Sequence, residues 1–417
     1  MESILVKANL SEQRSSEQTI LLPASKSISN RALILNALSK SPGQIYNLAE
    51  CDDTDVLSAA LTSKDETNFN IGAAGTAMRF LTAYLAGKPG DWTITGSERM
   101  KQRPIGILVD ALNNIGAEIS YLEKEGFPPL KIHGKKLSGG TVHLNGGVSS
   151  QFISALLMIA PTTQKGIALH LEGEIISRPY IEMTLQMMKE YGVDSQWEGK
   201  SIQIASQEYQ TTNYTVESDW SAASYWYEIA ALSTSAITFM LPHLYEKSLQ
   251  GDSMGRKIFE PLGVSTQFVQ GGIKISKTKN AVSHFEYDFT GQPDLAQTLV
   301  VACCSLGTTF HFTGLQTLKI KETDRIEALK NECKKLGFVL KEEGVGTLLW
   351  DGERIDRAKQ PQIATYKDHR MAMAFAPSVL KLGEITIEEP TVVSKSYPKF
   401  WDDIKSSRLF EFYSTIK

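Results

Sequence analysis

The chain has 417 residues and a mass of 46.1 kDa, with 42% hydrophobic and 22% charged residues. This length and composition predict two or three globular domains and exclude disordered, collagen-like and disulfide-scaffold proteins. The 43 Lys and Arg residues against 47 Asp and Glu residues give a net charge of −4. A mildly acidic chain of this kind is a poor general binder of nucleic acids or membrane surfaces, so any basic site must be local.

The cysteines and the first residues predict a reduced, cytoplasmic location. None of the four cysteines forms a C-x-x-C pair, so buried free thiols are expected rather than a disulfide framework or a zinc site. The start, MESILVKANL, does not resemble a secretory signal, and no run of eighteen apolar residues predicts a membrane span. We expect no nucleic-acid and no membrane partner.

Apolar, helix-like stretches recur along the chain, each just after a polar or glycine-rich cluster. Their starts are Ser27, Gly75, Ser149, Ser221, Asp294 and Asp368. The last five starts are 72 to 74 residues apart, which is too long for a solenoid repeat. The spacing suits a compact unit of two helices and a few strands, and six such units, the first truncated and the last shortened, account for the chain.

A second helix is predicted inside each unit, and a glycine closes four of these helices. The four glycines are Gly116, Gly192, Gly263 and Gly337, and they are 71 to 76 residues apart. A glycine just past a helix is typical of a left-handed C-cap, and a strand-like run follows each one. Two separate series of landmarks therefore indicate the same repeat.

The residues before each first helix, SKS, AGT, SSQ, SDW, QPD and KDH, predict a binding site for anions. Helix starts present free N–H groups and a partial positive charge, and equivalent units could bring several starts together. The alternative is ordinary N-capping, since Ser, Asp and Gly are common caps. Basic residues near the starts favour a substrate with more than one anionic group. They are Lys26, Arg31, Arg79, Arg103, Arg178, Lys321, Arg325, Arg370 and Lys395.

Other familiar sites are not predicted. The sequence has no P-loop, no G-x-G-x-x-G after a strand, no H-E-x-x-H and no G-x-S-x-G elbow. The seven histidines are scattered along the chain, which disfavours a metal centre.

Seven blocks of the sequence contain most of the residues considered so far. They are LPASKSISNRAL, AGTAMR, MKQRPIGILVDAL, SSQFISALLM, SRPYIEMTL, KETDR and DHRMAMAF. Together these blocks resemble the 5-enolpyruvylshikimate-3-phosphate (EPSP) synthase family of enolpyruvyl transferases. The resemblance runs from about Leu21 to Phe400, nearly the whole chain.

The resemblance implies an α/β fold, a two-domain inside-out α/β barrel. Six βαβαββ units, three per domain, would place helices inside and sheets outside, with the active site in the interdomain cleft. Residues 1–20 plus 219–417 would form the C-terminal-type domain on the phosphoenolpyruvate side. Residues 21–218 would form the N-terminal-type domain on the shikimate 3-phosphate side.

The resemblance also implies the reaction. The 5-hydroxyl of shikimate 3-phosphate attacks C2 of phosphoenolpyruvate while C3 is protonated, and the tetrahedral intermediate then loses phosphate to give the enolpyruvyl ether. The expected partners are these two small-molecule substrates. No metal or organic cofactor is expected, and the family suggests a monomer.

Roles carry over from the resemblance residue by residue. The positions that match shikimate 3-phosphate binding are Lys26, Ser27, Arg31, Ser149, Ser150, Gln151, Ser177, Tyr180, Asp294 and Lys321. Those that match phosphoenolpyruvate binding are Lys26, Gly75, Arg103, Gln151, Arg325, Arg370 and Lys395.

Four residues match catalytic roles. Asp294 is the candidate base for the attacking hydroxyl and Glu322 the candidate acid for C3, since carboxyls in different surroundings can hold opposite protonation states. Lys26 and Lys395 would stabilise the leaving phosphate. The alternative for KETDR is a charged helix start with local ion pairs.

Four positions depart from the usual family pattern: Ala24, Ala73, Phe80 and Thr317. Ala73 and Thr317 stand where the family often has Asn in contact with substrate, so substrate affinity and the response to glyphosate are affected. Gly75 is retained, and we expect some glyphosate sensitivity.

Three other functions fit part of this sequence pattern. The sister enolpyruvyl transferase that acts on UDP-N-acetylglucosamine usually carries a catalytic Cys shortly before an Arg-Pro, but the stretch 96–106, GSERMKQRPIG, has none. A binding protein that has lost catalysis would be favoured by loss of Lys26, Asp294 or Glu322, and all three are present. A plain scaffold would give the clustered cations no purpose, because like charges repel without an anion.

Overall fold

The computed structural model describes residues 2–9, 16–63, 65–234 and 237–415. Of the predicted segment 1–20, residues 1 and 10–15 lie outside the described residues. The chain divides into two compact units. Unit 1 is Met1–Pro23 with Glu217–Lys417, and unit 2 is Ala24–Val216.

The α-helices of the described residues follow in chain order. They are α1 Lys26–Leu38, α2 Asp52–Thr62, α3 Gly75–Gly87, α4 Gly106–Asn114, α5 Ser150–Ile159, α6 Arg178–Glu190, α7 Trp220–Leu232, α8 Gly255–Ile258, α9 Ala296–Leu306, α10 Arg325–Lys335, α11 His369–Phe375, α12 Val379–Leu382 and α13 Phe400–Ser406. Short 3-10 helices are Met100–Gln102, Ala160–Thr162, Gly251–Met254, Pro293–Leu295, Gln316–Ile320, Ala376–Ser378 and Pro390–Lys395.

The strands are β1 Ser3–Ala8, β2 Ser16–Thr19, β3 Ile45–Tyr46, β4 Asn68–Asn70, β5 Gly90–Thr95, β6 Glu118–Tyr121, β7 Leu130–Gly134, β8 Gly140–Asn145, β9 Ile167–Glu172, β10 Gln196–Glu198, β11 Ser201–Ile204, β12 Tyr214–Thr215, β13 Ile237–Pro242, β14 Val264–Val269, β15 Gly272–Lys277, β16 His284–Asp288, β17 Thr309–Thr313, β18 Lys341–Glu342, β19 Leu348–Trp350, β20 Gln362–Ile363, β21 Glu384–Glu388 and β22 Phe410–Thr415.

Five four-stranded sheets share one topology. In unit 2 the orders are β4-β5-β7-β6 and β8-β9-β11-β10, and in unit 1 they are β2-β13-β15-β14, β16-β17-β19-β18 and β20-β21-β1-β22. In each sheet the first two strands are parallel across a buried helix, and the others pair antiparallel. Each sheet with its two helices is therefore a βαβαββ unit, as the fold class predicts.

The first and last units of the repeat differ from the others, as the spacing predicts. The first keeps only the parallel pair β3 and β12, with Tyr214 opposite Ile45, beside α1 and α2. In the last unit β1, from the start of the chain, supplies the fourth strand between β21 and β22. In both unit 1 and unit 2, therefore, one sheet is completed by a chain segment that is distant in sequence from the other strands of that sheet.

The first helix of most repeats is buried nearly all round. Every residue of α7 except Ser221 is buried, and so is every residue of α11. Strands such as β7 and β8 instead alternate buried and exposed residues, which leaves one face of the sheet to solvent. Within each unit the helices thus form the interior and the sheets the outer layer.

Three of the four predicted helix-closing glycines, Gly116, Gly192 and Gly337, stand directly after the C-caps of α4, α6 and α10. The prediction is wrong for Gly263, because α8 ends at Ile258 and Gly263 follows the turn before Val264, where Pro261 cannot continue a helix. All four glycines have left-handed backbone. Their φ angles are 103°, 81°, 93° and 92° at Gly116, Gly192, Gly263 and Gly337. The cysteines are free and buried, as predicted. Among the described helices, none is long and apolar enough to span a membrane.

Candidate functional site

Two aspartates fix the helix starts that carry the basic residues of unit 1. The side chain of Asp324 caps α10 by accepting hydrogen bonds from the backbone N–H groups of Ile326 and Glu327. Asp368 caps α11 in the same way through the N–H of Arg370, at 3.0 Å. The caps place Arg325 and Arg370 in the first turns of two neighbouring helices.

Arg325 is the centre of a group of seven charged side chains, which we call the Arg325 cluster. Its members are Asp294, Lys321, Glu322, Arg325, Asp368, Arg370 and Lys395. The guanidinium of Arg325, in a residue only 1% exposed, donates to Asp368 Oδ2 at 2.7 Å and to Glu322 Oε2 at 3.1 Å. Burial alone would lower the pKa of Arg325, but the neighbouring carboxylates raise it above its ordinary value.

Three cationic side chains lie close to the carboxylate of Asp294. Arg370 Nη2 lies 3.0 Å from Asp294 Oδ2, Arg325 Nη1 lies 3.2 Å from Oδ1, and Lys321 Nζ lies 3.6 Å from Oδ1. Burial raises the pKa of the Asp294 carboxyl, but these cations outweigh burial and hold that pKa well below its ordinary value. Asp294 is therefore ionised in this structure.

Glu322 lies between two cations at the other end of the cluster. Lys395 Nζ lies 2.8 Å from Glu322 Oε1, and Arg325 contacts the other oxygen. The Arg325 cluster thus combines four cations with three carboxylates. This excess of positive charge, mostly buried, favours an anionic ligand.

In unit 2, the predicted cation Lys26 stands at the start of α1. Ser25 caps this helix, and Lys26 Nζ lies 3.2 Å from Asp53 Oδ2 in the first turn of α2. Both side chains are largely buried. Asp53 therefore fixes the direction of the lysine.

Arg31 is engaged inside unit 2. Its guanidinium donates to Thr184 Oγ1 at 2.7 Å, to Ser154 Oγ at 3.0 Å, and to the carbonyl oxygens of Ser27 and Tyr180 at 3.0 and 3.3 Å. These contacts join α1, α5 and α6 near their N-terminal ends. Burial lowers the pKa of Arg31 to about 10.

Arg103 lies against the first residue of α3. A Cβ atom on Gly75 would stand 2.6 Å from Arg103 Nη1, so only glycine allows this approach. Arg103 is 6% exposed, and its Nε has no hydrogen-bond partner among the described residues. Arg79 ties the same segment together through the carbonyl oxygens of Gly75 and Pro104.

The remaining predicted residues of unit 2 lie at the starts of α5 and α6. Gln151 Nε2 donates to Thr76 Oγ1 at 3.1 Å, which links the starts of α5 and α3. Ser149 caps α5, and its neighbour Ser150 is buried. Ser177, with a left-handed φ of 57°, stands directly before α6.

The structure thus brings predicted residues together within each unit: the Arg325 cluster in unit 1 and the helix starts in unit 2. Sequence reasoning missed several of their partners. In the sequence, Asp53 is only one of several acidic residues at the start of a predicted helix, and nothing distinguishes Thr184 from an ordinary helix residue. Asp368 stands in the quoted DHRMAMAF block, but its pairing with Arg325 has no signature in the sequence.

The structure shows what surrounds two of the residues that differ from the usual family pattern, Thr317 and Phe80. The hydroxyl of Thr317 is buried without a hydrogen-bond partner among the described residues. Phe80 packs beneath Arg31, whose guanidinium carbon lies 5.4 Å from the ring centre. The expected glyphosate sensitivity stays a prediction.

The chemistry available at these side chains is anion binding and proton transfer. Helix starts and guanidinium groups bind phosphates and carboxylates, while the carboxyl groups of Asp294 and Glu322 can give or take protons. In the part of the chain that the structure describes, no group of three or more His, Cys, Asp and Glu side chains could hold a metal ion.

The repeated βαβαββ units, with cations at the starts of their buried helices, define a class of α/β proteins that bind small anions. Comparisons with known proteins specify the family. The family model described as EPSP synthase (3-phosphoshikimate 1-carboxyvinyltransferase) matches residues 11–63 and 57–404. The chain belongs to the EPSP synthase family.

Curated relatives carry the same name along nearly the whole chain. The 3-phosphoshikimate 1-carboxyvinyltransferase of Bacteroides fragilis is 56% identical over 390 residues, which cover 93% of this chain and 95% of that protein. The enzyme of the same name from Cellvibrio japonicus is 38% identical, covering 92% of this chain and 95% of its own.

A solved structure shares the fold. The EPSP synthase structure from Acinetobacter baumannii aligns with 99% of this chain and 100% of its own, at a TM-score of 0.78 and 21% identity. This likeness confirms the predicted two-domain α/β fold class.

Proposed function

We propose that this protein transfers the enolpyruvyl group of phosphoenolpyruvate to the 5-hydroxyl of shikimate 3-phosphate and releases phosphate. The observation that carries the proposal is the Arg325 cluster, in which an ionised Asp294 and a lysine-bound Glu322 stand among four cations. A doubly anionic donor and a phosphorylated acceptor require such cations.

In the proposed first step, Asp294 takes the proton of the 5-hydroxyl as the hydroxyl oxygen bonds to C2 of phosphoenolpyruvate. The electrons of the C2–C3 double bond take a proton at C3 from Glu322. The result is a tetrahedral intermediate. In the second step the deprotonated Glu322 takes a proton from C3, the C2–C3 double bond forms again as the C2–O bond to phosphate breaks, and Lys26 and Lys395 stabilise the leaving phosphate.

We assign the substrates to the residues that match the family. Shikimate 3-phosphate is assigned to Lys26, Ser27, Ser149, Ser150, Gln151, Ser177, Tyr180, Asp294 and Lys321. Phosphoenolpyruvate is assigned to Lys26, Gly75, Arg103, Gln151, Arg325, Arg370 and Lys395. Arg31 is supported less well as a direct ligand, because four hydrogen bonds already engage its guanidinium within unit 2.

The decisive assay measures phosphate release from phosphoenolpyruvate with each of two acceptors. We expect release with shikimate 3-phosphate and none with UDP-N-acetylglucosamine. The opposite pattern would identify the sister transferase, and no release with either acceptor would leave a binding protein.

The acid and base assignments predict large losses of turnover. Asp294→Asn and Glu322→Gln should each lower kcat by about 100-fold or more, since each removes a proton-transfer group. Glu327→Gln is the matched control, because this exposed glutamate of α10 pairs only with Lys330 among the described contacts. Near-normal kcat in either test variant, with folding intact by circular dichroism, would remove that residue from the mechanism.

We further propose a cytoplasmic monomer: the free, buried cysteines fit a reducing compartment, and the family resemblance suggests a monomer. Light scattering during gel filtration should give a mass near 46.1 kDa. A mass twice as large would contradict the monomer.

A further inference from the structure

A second buried carboxyl lies close to the Arg325 cluster, and the proposed mechanism does not use it. Asp252 stands in the 3-10 helix Gly251–Met254 and is 3% exposed. Its Oδ2 accepts a hydrogen bond from the hydroxyl of Ser221, in the first turn of α7. Its Oδ1 is buried and has no hydrogen-bond partner within the described ranges. A buried carboxylate oxygen without a donor is costly, so the neutral acid is favoured.

The segment that carries Asp252 packs beside Asp294. A Cβ atom on Gly255, three residues after Asp252, would lie 3.6 Å from the side chain of Leu295, which follows Asp294. From α7, Tyr225 reaches Arg370, the cation that contacts Asp294, at 3.5 Å. Ser221 and Tyr225 are one turn apart on α7, so this helix connects Asp252 to Arg370, which in turn contacts Asp294.

The charged and titratable groups around Asp252 come from four elements. They are Asp219 and Tyr225 from α7, Asp294 from the 3-10 helix before α9, Arg370 from α11 and Tyr287 from β16. Burial first and Asp294 second raise the pKa of Asp252 to about 7, while Arg370 and the hydrogen bond from Ser221 oppose the rise.

We propose that Asp252 is a positioning residue for anion binding: it takes up a proton when an anionic substrate binds Arg370, and it competes for Arg370 when it is ionised. The inference rests on the proposed function, in which Arg370 binds phosphoenolpyruvate. The bound anion adds negative charge near Asp252 and favours its neutral form, with the proton coming from solvent. At higher pH the ionised Asp252 holds Arg370 back from the substrate.

The direction in which the affinity for phosphoenolpyruvate changes with pH follows from the coupling between proton binding at Asp252 and substrate binding. If binding raises the pKa of Asp252 by one unit from about 7, affinity for phosphoenolpyruvate falls about eightfold between pH 6 and pH 9. The Asn side chain mimics the neutral acid, so Asp252→Asn should lose this fall. Because wild type and variant bind the same ligand, the ratio of their affinities removes the ligand's own titration.

The experiment is calorimetric titration of the full chain with phosphoenolpyruvate alone, from pH 6 to pH 9, so that no acceptor is present to react with it. We expect the affinity ratio of Asp252→Asn to wild type to rise about eightfold over this range. We also expect proton uptake on binding near pH 7.5 in wild type only. A ratio that stays constant with pH overturns the inference, because a purely structural role shifts affinity equally at every pH.

Two more variants complete the test. Ser221→Ala removes the donor to Asp252, so the fall in affinity should move to higher pH, and this variant keeps the test decisive if Asp252→Asn does not fold. Glu217→Gln is the matched control: Glu217 is another carboxyl of unit 1 with a pKa raised by burial, but Ser248 and Gln250 bind it. Its pH dependence should follow wild type, and a loss equal to that of Asp252→Asn would overturn the assignment.

Failure of the proposed function gives a different result. A wild type that binds phosphoenolpyruvate with the expected proton uptake but releases no phosphate would refute the transfer reaction and uphold the role of Asp252. A wild type that turns over normally, with a constant affinity ratio, would refute the role of Asp252 alone.

Discussion

The carboxyl of Asp294 has opposite requirements before and after substrate binding. In this structure Arg370, Lys321 and Arg325 outweigh burial and hold its pKa well below the ordinary value, so it is ionised. A base must also have enough affinity for the proton it takes. Substrate phosphate and carboxylate groups that bind these cations would neutralise them and raise the proton affinity of Asp294. The base would then become effective only when the substrates are in place.

Gly75 allows a close approach that any other residue would prevent. A Cβ atom there would lie 2.6 to 2.9 Å from the guanidinium of Arg103, so Gly75→Ala should displace that group and raise the KM for phosphoenolpyruvate about tenfold. The guanidinium ends a flexible side chain, so the melting temperature should change little. Steady-state kinetics and thermal unfolding check both expectations.

Gly87 is the matched control for Gly75 because it ends the same helix, α3, in open space. Apart from its chain neighbours and its own helix backbone, no atom of the described residues lies within 4 Å of its added Cβ. Gly87→Ala should leave the KM unchanged and stabilise the fold by about 0.5 kcal/mol, because it restricts the unfolded chain. An equal rise of KM in both variants would show that Arg103 is not the cause.

The buried carboxyl of Glu228 should make the free energy of unfolding depend on pH. It is fully buried in α7, neither carboxylate oxygen has a partner among the described residues, and burial raises its pKa well above the ordinary value. A raised carboxyl pKa stabilises the fold at low pH, and this stability is lost as the pH rises from the unfolded value, about 4.3, through the folded value. Glu228→Met should therefore raise the free energy of unfolding at pH 8 by about 1–3 kcal/mol.

The gain from Glu228→Met should be smaller at pH 5, and urea unfolding at the two pH values measures the difference. Glu260→Met, at an exposed position of the same unit, controls for the added methionine and should show no such pH dependence. A gain of the same size at both pH values would mean that the carboxyl of Glu228 is not the titrating group.

At the scale of elements, replacing a left-handed glycine that follows a helix should lower the free energy of unfolding by an amount that depends on the atoms around it. Gly263 has a φ of 93°, and an added Cβ would collide with the carbonyl oxygen of Lys279. Gly263→Ala should lower the free energy of unfolding by about 3 kcal/mol, because strain and clash add. Urea denaturation provides the measurement.

Gly307 separates the two contributions at Gly263. It ends α9 with a φ of 76°, but no atom lies within 4 Å of its added Cβ. Gly307→Ala should therefore cost only about 1 kcal/mol of backbone strain. Equal losses at the two positions would show that the contact with Lys279 relaxes without cost.

The repeat itself could be predicted from the sequence because its landmarks are local. A capping residue such as Ser149, an apolar run after it and a glycine such as Gly192 past the second helix are signals within a few residues of one another. The first helices begin within one residue of the predicted starts, apart from α9, which a 3-10 turn delays by two residues to Ala296. The crossing of β1 into the last sheet has no local signal.

The partners of the charged residues could not be predicted, because they depend on tertiary contacts. Glu332 in α10 reads as a helix ion pair with Lys335, yet it is fully buried. Its carboxylate accepts hydrogen bonds from the hydroxyl of Tyr366 and the backbone N–H of Ala364. It thereby holds the left-handed turn before Asp368 against the helix that carries Arg325. No spacing in the sequence indicates this contact.

At the scale of the whole molecule, charge is distributed unevenly. The chain carries a net charge of −4, yet the Arg325 cluster has more cations than carboxylates. An acidic surface limits non-specific binding of polyanions, while the cations at the helix starts bind small ones. The composition alone therefore gives the wrong sign for the charge of the site.

The division of the chain into two units makes the last prediction. Most residues assigned to shikimate 3-phosphate lie in unit 2, at the starts of α1, α5 and α6. Their backbone N–H groups should donate to the bound substrate and exchange more slowly with solvent. Hydrogen exchange with shikimate 3-phosphate alone should therefore show its strongest protection in peptides spanning residues 24–31, 149–154 and 177–184. Inorganic phosphate at the same concentration is the control and should protect fewer of these peptides, because it lacks the ring hydroxyls. Protection confined to unit 1 would reverse the assignment of this substrate to unit 2.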